Sequence, residues 1–128
     1  MKNRKLKIGN KTVAILIKGD QKIDGVKFLT PPNDPLQVGV HQYSAKKETK
    51  IHNSGLRKPV RIQKFHKFLY ISAGSALVFF MNKDNKILLK KQLSCGDGII
   101  IMNTFHKVVF FKNTNAIEIK QGPYASDT

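Results

Sequence analysis

The sequence from Lys67 to His106, KFLYISAGSALVFFMNKDNKILLKKQLSCGDGIIIMNTFH, decides the fold. In this stretch, apolar runs rich in Ile, Val, Leu and Phe are interrupted at short intervals by Gly, Asn, Asp or Ser. Runs of roughly 4–8 residues with turn residues every 8–12 positions are typical of short antiparallel strands. The pattern predicts an all-β protein that folds as a small antiparallel barrel or a double-sheet sandwich.

The same pattern continues on both sides of this stretch. We predict strands at 12–18, 25–29, 36–44, 51–54, 60–64, 65–72, 75–82, 87–93, 99–102, 105–112 and 116–121. No segment keeps the 3.6-residue apolar period of a helix over three turns. The prolines at 31, 32 and 35 lack N–H donors, so 30–35 is predicted to be an extended loop.

The length of 128 residues is enough for one domain with its own core. We predict a basic N-terminal extension at 1–11, frayed or loosely docked, then a single domain at 12–124 and a tail at 125–128. Within the domain, 12–29 are expected to form an N-terminal hairpin and 36–121 the barrel.

The charge balance is strongly basic, with 23 Lys+Arg against 8 Asp+Glu and a formal net charge of +15. This balance favours anionic partners such as nucleic acid, nucleotide-linked sugars, phosphates or an acidic protein. The lysines are spread along the chain, so a solvated lysine-rich surface is the alternative interpretation. No nucleic-acid-binding motif, phosphate-binding glycine loop or nucleophile elbow is recognisable.

Several features favour a cytoplasmic protein. No run approaches the roughly 20 apolar residues of a membrane span, and the apolar run at 13–17 is too short for the core of a signal peptide. The single cysteine, Cys95, cannot form an internal disulfide, and we interpret it as structural. Asp97, which follows it closely, is expected to organise its turn.

Three groups of residues resemble the motifs of the cupin superfamily. One cupin motif combines a histidine pair with a glutamate upstream of a glycine, and the other runs from a Gly-Asp turn to a further histidine. Here Lys67 precedes Gly74 at the glutamate position, and Gly96-Asp97 leads to His106. His52-Asn-Ser54 lies where the histidine pair is expected.

Two further stretches, 35–43 and 117–124, are similar to a group of small single-domain bacterial cupins. Those proteins are often encoded among surface-polysaccharide and sugar-nucleotide genes. The resemblance covers roughly residues 12 to 124 and implies a cupin-like jelly-roll barrel that forms a homodimer. The exposed edges of an open sandwich also favour a dimer, in which the N-terminal hairpin pairs across subunits.

The usual cupin metal site uses three histidines and a carboxylate. This chain keeps His52 and His106, but Ser54 is a poor ligand and the Lys67 ammonium cannot coordinate a metal. We therefore expect no cofactor. If a divalent metal (Fe, Ni, Mn or Zn) is bound, His41 would supply the third nitrogen.

The expected ligand cavity lies inside the barrel, where His52 and His106 are the candidate acid/base pair. The candidate substrate contacts are cationic or aromatic: Lys67, Arg57, Arg61, Tyr43 and Tyr70. The simpler interpretation is hydrogen-bonded core histidines, a surface lysine and core aromatics. Strand alternation points His66 away from the side of Lys67.

The expected function is binding of a small anionic carbohydrate such as a sugar nucleotide. As an enzyme, the protein would isomerise or epimerise this ligand by proton transfer alpha to a carbonyl. The alternatives are a non-catalytic ligand-binding or interaction module with a degenerate metal site, a metal-dependent cupin enzyme, and a nucleic-acid-binding barrel driven by the charge.

Overall fold

A computed structural model of the protein describes residues 4–20, 22–51 and 64–121. In these ranges the chain forms strands and no helix, so none of the described residues belongs to a helix that could cross a membrane. The strands are β1 Arg4–Ile8, β2 Lys11–Ile17, β3 Gly25–Phe28, β4 Gly39–Gln42, β5 His66–Ala73, β6 Ser75–Met81, β7 Ile87–Ser94, β8 Gly98–Met102, β9 Phe105–Phe110 and β10 Asn115–Lys120. The prediction of an all-β antiparallel protein is confirmed.

The strands assemble into three antiparallel sheets. The central sheet has the order β1-β2-β8-β5-β10, the second sheet has the order β7-β6-β9, and the third is the pair β3-β4. We call them the central, three-stranded and two-stranded sheets. The sheets stay open within the described ranges, so these residues do not form the closed barrel expected from the sequence.

The central sheet buries apolar side chains on both of its faces. One face packs against the three-stranded sheet, and this cluster includes Leu16, Leu69, Ile71, Ile99, Ala76, Val78 and Phe80. The opposite face packs against the two-stranded sheet and its loop through Ile15, Ile17, Ile100, Leu29, Val38 and Val40. Because alternate residues of a strand point to opposite faces, the unbroken apolar run Gly98–Met102 suits a strand covered on both sides.

The N-terminal residues differ from the prediction of a loose extension. Arg4–Ile8 forms β1, which pairs with β2, and Leu6 is buried in the core. The predicted hairpin at 12–29 is also absent, because β2 pairs with β1 and β8 while β3 pairs with β4. Leu6 and Ile8 alternate with lysines, a period-two pattern that suits a half-buried strand.

The proline-rich loop between β3 and β4 is compact rather than extended. The Asp34 amide donates to the Pro31 carbonyl at 3.0 Å, and Gln37 Nε2 donates to the carbonyls of Pro31 and Asp34 at 2.9 Å each. The Val38 amide donates to Thr30 Oγ1 at 3.1 Å. The prolines remove donors but keep their carbonyls, and Gln37 satisfies one of these.

Asp97 fixes the turn between β7 and β8 to the end of β2. Its Oδ2 accepts hydrogen bonds from the Ser94 amide at 2.9 Å and from Lys18 Nζ at 2.8 Å, and its Oδ1 accepts one from the Gly19 amide at 3.1 Å. The approach is so close that a Cβ at Gly19 would lie 2.7 Å from the Gly96 carbonyl oxygen. Burial raises the pKa of Asp97, but these hydrogen bonds outweigh it, so the pKa is lowered overall.

Candidate functional site

The residues selected from the sequence do not gather at one place in the described structure. His52, Arg57 and Arg61 lie outside the described residues. Lys67 is on the face of the central sheet that packs against the three-stranded sheet, and its Nζ lies 3.2 Å from Glu118 Oε1 on the neighbouring strand β10. The Lys67 ammonium group, which was expected to contact a substrate, therefore forms an ion pair within the sheet.

His106 is partly buried on the three-stranded sheet. It lies opposite Phe80 in the pairing of β9 with β6, so it shares the core-facing side of that sheet. Its Nδ1 lies 2.9 Å from the Thr104 carbonyl oxygen, which can only accept, so this nitrogen carries the proton. The bond fixes the ring orientation at the start of β9.

His41 and Tyr43 belong to the exposed side of the two-stranded sheet, with His41 Nδ1 2.8 Å from Tyr43 Oη. Because Val40 packs toward the central sheet, the adjacent His41 points away from it. The central sheet thus separates His41 from His106, and the structure does not bring these two candidate metal ligands together. No group of three or more His, Cys, Asp or Glu side chains suited to a metal occurs in ranges 4–20, 22–51 and 64–121.

Tyr70 lies on the opposite face of β5 from Lys67, together with Phe68 and His66. The two candidate substrate contacts on β5 therefore do not share a cavity wall. The prediction that His66 points away from the side of Lys67 agrees with this placement, since His66 pairs with Met102 of the second apolar cluster. The face of the central sheet that carries His66 borders a cavity lined by several ionisable side chains.

A cavity of about 360 Å³, which we call the His66 cavity, lies between this face of the central sheet and the proline-rich loop. Its sheet side includes Lys5, Thr12, Ile15, His66 and Met102, and its loop side includes Pro31 and Asp34. A second cavity of about 630 Å³ adjoins it, and Lys11 and Asn103 line both. Of these two cavities, the His66 cavity is the one whose described lining combines a histidine, a carboxylate and several lysines.

His66 and Asp34 face each other across this cavity. Nε2 of His66 lies 4.0 Å from Oδ2 of Asp34, and the two side chains are only 3% and 6% exposed. His66 Nδ1 is buried and has no hydrogen-bond partner among the described residues. Burial lowers the pKa of His66, the Asp34 carboxylate partly opposes this, and Lys64 lowers it further. The imidazole is therefore neutral at pH 7, with an unoccupied nitrogen.

Lysines give the His66 cavity an excess of positive charge. Lys64 Nζ lies 3.4 Å from Asp34 Oδ1, Lys11 Nζ donates to the Asn103 carbonyl at 3.0 Å, and Lys5 completes the set. The described lining of the cavity therefore contains three ammonium groups and one carboxylate. The arrangement attracts an anion, while the carboxylate can accept hydrogen bonds from hydroxyl groups.

Sequence reasoning missed this cavity because its parts come from distant stretches. Asp34 lies in a loop whose prolines suggested an open connection, and no motif links it to His66. The sequence indicated only that His66 and Lys67, as adjacent residues of a strand, point to opposite faces of the sheet. The charge of Lys5 was assigned to a loose extension, whereas the pairing of β1 with β2 places it opposite Ile15.

Comparisons of the chain with protein-family models, with curated proteins and with solved structures found no match. The chemistry of the His66 cavity is therefore the main guide to function.

Proposed function

We propose that this protein binds a small anionic carbohydrate, such as a sugar phosphate or sugar nucleotide, in the His66 cavity. The observation that carries the proposal is the convergence of Lys5, Lys11 and Lys64 with the buried His66–Asp34 pair on one cavity of about 360 Å³. Ligand cavities usually measure roughly 300–1,000 Å³, so this space is sufficient for a sugar with an attached phosphate.

The mixed lining favours a carbohydrate over a simple inorganic anion. Ammonium groups donate to phosphate oxygens, whereas Asp34 can only accept and would repel a bare anion. Sugar hydroxyls supply the donors that Asp34 requires. Apolar atoms of Ile15, Pro31 and Met102 offer contact to the C–H surface of a sugar ring.

The double-sheet arrangement is compatible with a cupin-like jelly roll. The chain crosses between the central and three-stranded sheets from β5 to β6, from β7 to β8, from β8 to β9 and from β9 to β10, while β6 and β7 form a hairpin within one sheet. The resemblance of 35–43 to cupins encoded among surface-polysaccharide genes makes a sugar nucleotide the preferred ligand and polysaccharide biosynthesis the preferred setting. The cytoplasmic location and the homodimer remain predictions.

Proton transfer on the bound sugar is a second candidate function, favoured by the state of His66. A neutral buried imidazole can accept a proton from the carbon alpha to a carbonyl, and Asp34 would stabilise the imidazolium that forms. With Nε2 directed to Asp34, Nδ1 is the nitrogen without a partner, and because it is buried the ring must turn toward the cavity before Nδ1 can receive the proton. Return of that proton to the adjacent carbon would isomerise the sugar, whereas protonation of the opposite face by a lysine ammonium group or by water would epimerise it.

Calorimetric titration tests the binding proposal, with UDP-glucose, pyrophosphate and glucose as separate probes. We expect UDP-glucose to bind, and the double variant Lys5→Gln/Lys64→Gln to raise its Kd by about a hundredfold or more, since charged hydrogen bonds contribute about 1.5–3 kcal/mol each. Lys27→Gln/Lys47→Gln is the matched control, because both lysines are exposed and lie outside the His66 cavity. Equal Kd values for the two double variants, with unchanged melting temperatures, would refute the proposal.

Deuterium exchange separates binding from chemistry. A nucleotide-linked keto sugar incubated with the protein in D₂O should gain solvent deuterium at the carbon alpha to the carbonyl, and His66→Gln should stop this gain. Binding without deuterium gain in the unaltered protein would instead support the non-catalytic ligand-binding module. The metal-dependent alternative rests on His52, which lies outside the described residues.

A further inference from the structure

The outer face of the three-stranded sheet is a second surface with a distinct composition. Its side chains lie in three rows across β7, β6 and β9, given by the strand pairing as Ile87–Met81–Phe105, Lys90–Phe79–Lys107 and Gln92–Leu77–Val109. We call this set of residues the outer face. It lies on the far side of the three-stranded sheet from the central sheet, and its end at Met81 and Phe105 borders the cavity of about 630 Å³ that adjoins the His66 cavity.

Burial shows that these side chains point outward. Ala76, Val78 and Phe80, the alternate residues of β6, are completely buried in the core, so their neighbours on β6 face the other way. On the outer face, Phe105 is 63% exposed and Ile87 is 50% exposed. An aromatic ring that exposed, beside other apolar residues, marks a surface suited to binding.

The charge of the outer face has one sign. Strands β6, β7 and β9 contain no Asp or Glu. Lys90 and Lys107 flank Phe79 in the central row, and Lys107 Nζ lies 5.1 Å from the centroid of the Phe79 ring. The net charge of +15 adds a long-range attraction for polyanions.

We infer that the outer face binds single-stranded nucleic acid. Surfaces of this kind combine aromatic rings, on which bases stack, with cations that contact the phosphates. Phe79 and Phe105 are diagonal neighbours on adjacent antiparallel strands, which places them about 7–8 Å apart. Two bases can therefore stack on them while Lys90 and Lys107 contact the phosphates, with Lys107 moving off the Phe79 ring.

The position of the lysines favours nucleic acid over a protein partner. Lys90 and Lys107 lie in the middle row, between two rows of mainly apolar side chains. The centres of protein–protein interfaces are depleted in lysine, because docking there would bury unpaired ammonium groups. Face-to-face pairing of two copies would also bring four ammonium groups together. A single strand of nucleic acid supplies phosphate groups for the lysines and base rings for stacking on the phenylalanines.

The cavity of about 630 Å³ lies at one end of the outer face, where Met81 and Phe105 form part of its lining. Asn103 and Thr104 contribute polar groups to the same cavity. A base that leaves the stack at Phe105 would have room and hydrogen-bonding groups there.

This inference can be tested by fluorescence anisotropy of the full chain with labelled oligo-dT and oligo-U, each about 12 nucleotides long. We expect both to bind, and Lys90→Gln/Lys107→Gln to raise Kd by about tenfold. The slope of log Kd against log salt should fall by about 1.4, since each phosphate contact on a single strand contributes about 0.7. The control Lys27→Gln/Lys47→Gln removes the same charge from exposed positions elsewhere and should change Kd less than twofold.

Substitutions of Phe105 test stacking apart from charge. Phe105→Leu should weaken binding about fivefold or more, since stacking of one base is worth about 1–3 kcal/mol, whereas Phe105→Tyr should keep the affinity. Melting temperatures verify that each variant is folded. Three outcomes would overturn the inference: equal losses in the two lysine pairs, no loss with Phe105→Leu, or a concentration-dependent dimer in sedimentation that Phe105→Leu dissociates. The last outcome would identify the outer face as a contact between copies.

Discussion

His66 Nε2 and Asp34 Oδ2 lie 4.0 Å apart with both side chains almost fully buried, although one belongs to a strand and the other to a proline-rich loop. Buried ionisable groups are costly unless they are paired, so their retention in one cavity indicates a function. The pair also joins the loop to the central sheet. Its consequences for stability and for binding can be measured separately.

The folding stability should depend on the protonation of His66. Its pKa in the folded state lies below the usual 6.5, because burial and Lys64 oppose the charge more than Asp34 favours it. The unfolded chain therefore binds more protons below about pH 6.5, and the unfolding free energy falls as the pH decreases. Between pH 7.5 and 5.0 we therefore expect the protonation of this group to reduce the free energy of unfolding.

Urea unfolding at the two pH values measures this loss. His66→Gln should remove this part of the pH dependence, whereas His41→Gln, at an exposed position, should retain it. If the unaltered protein and His66→Gln lost the same free energy, a neutral buried His66 would be excluded.

Asp97 should be a major determinant of stability. Asp97→Asn removes the charge that holds Lys18 and weakens the bonds from the Ser94 and Gly19 amides, so we expect a loss of about 2 kcal/mol. Asp84→Asn, in an exposed turn, should change stability by less than about 0.5 kcal/mol. Chemical denaturation at pH 7 gives both values. Comparable effects of the two substitutions would contradict a structural role for Asp97.

The lowered pKa of Asp97 should also make the folding stability sensitive to acid. Because its folded pKa is below the ordinary 3.8, Asp97 stabilises the protein at higher pH, and this contribution is lost as the pH falls through the folded pKa. Asp97→Asn should therefore be less sensitive to acid than the unaltered protein between about pH 5 and 2. Acid titrations followed by circular dichroism would detect the difference.

Lys67 should contribute to the sheet and not to ligand binding. Its ion pair with Glu118 is partly exposed, with side chains 16% and 42% accessible, so Lys67→Gln should cost about 1 kcal/mol or less. The same substitution should leave the Kd for UDP-glucose unchanged within a factor of two. A large rise in Kd would restore Lys67 as the substrate contact that the sequence resemblance implied.

Strand positions could be predicted well wherever the apolar runs were bounded by turn residues. The predicted strand at 75–82 corresponds to Ser75–Met81, and that at 99–102 corresponds to Gly98–Met102. The strand Arg4–Ile8 was missed because its lysines masked the alternation of Leu6 and Ile8. Local pattern also does not reveal pairing, so β2 was assigned to a hairpin with β3 and not to the central sheet.

The candidate site was harder to predict than the strands. Alternation correctly separated His66 from Lys67, but the cavity was expected on the side of Lys67. The His66 cavity exists because the loop folds back through the bonds of Gln37 to Pro31 and Asp34. Such long-range packing leaves no spacing signal in a sequence.

The most direct test of the His66 cavity as the ligand site is an NMR titration of the imidazole signals with UDP-glucose. The chain has four histidines, so each ring can be assigned by substitution. We predict that the His66 signals shift in a saturable manner, while those of His41 and His106 do not. Saturable shifts of His52 and His106 with His66 unchanged would contradict the account and return the site to the core between the sheets.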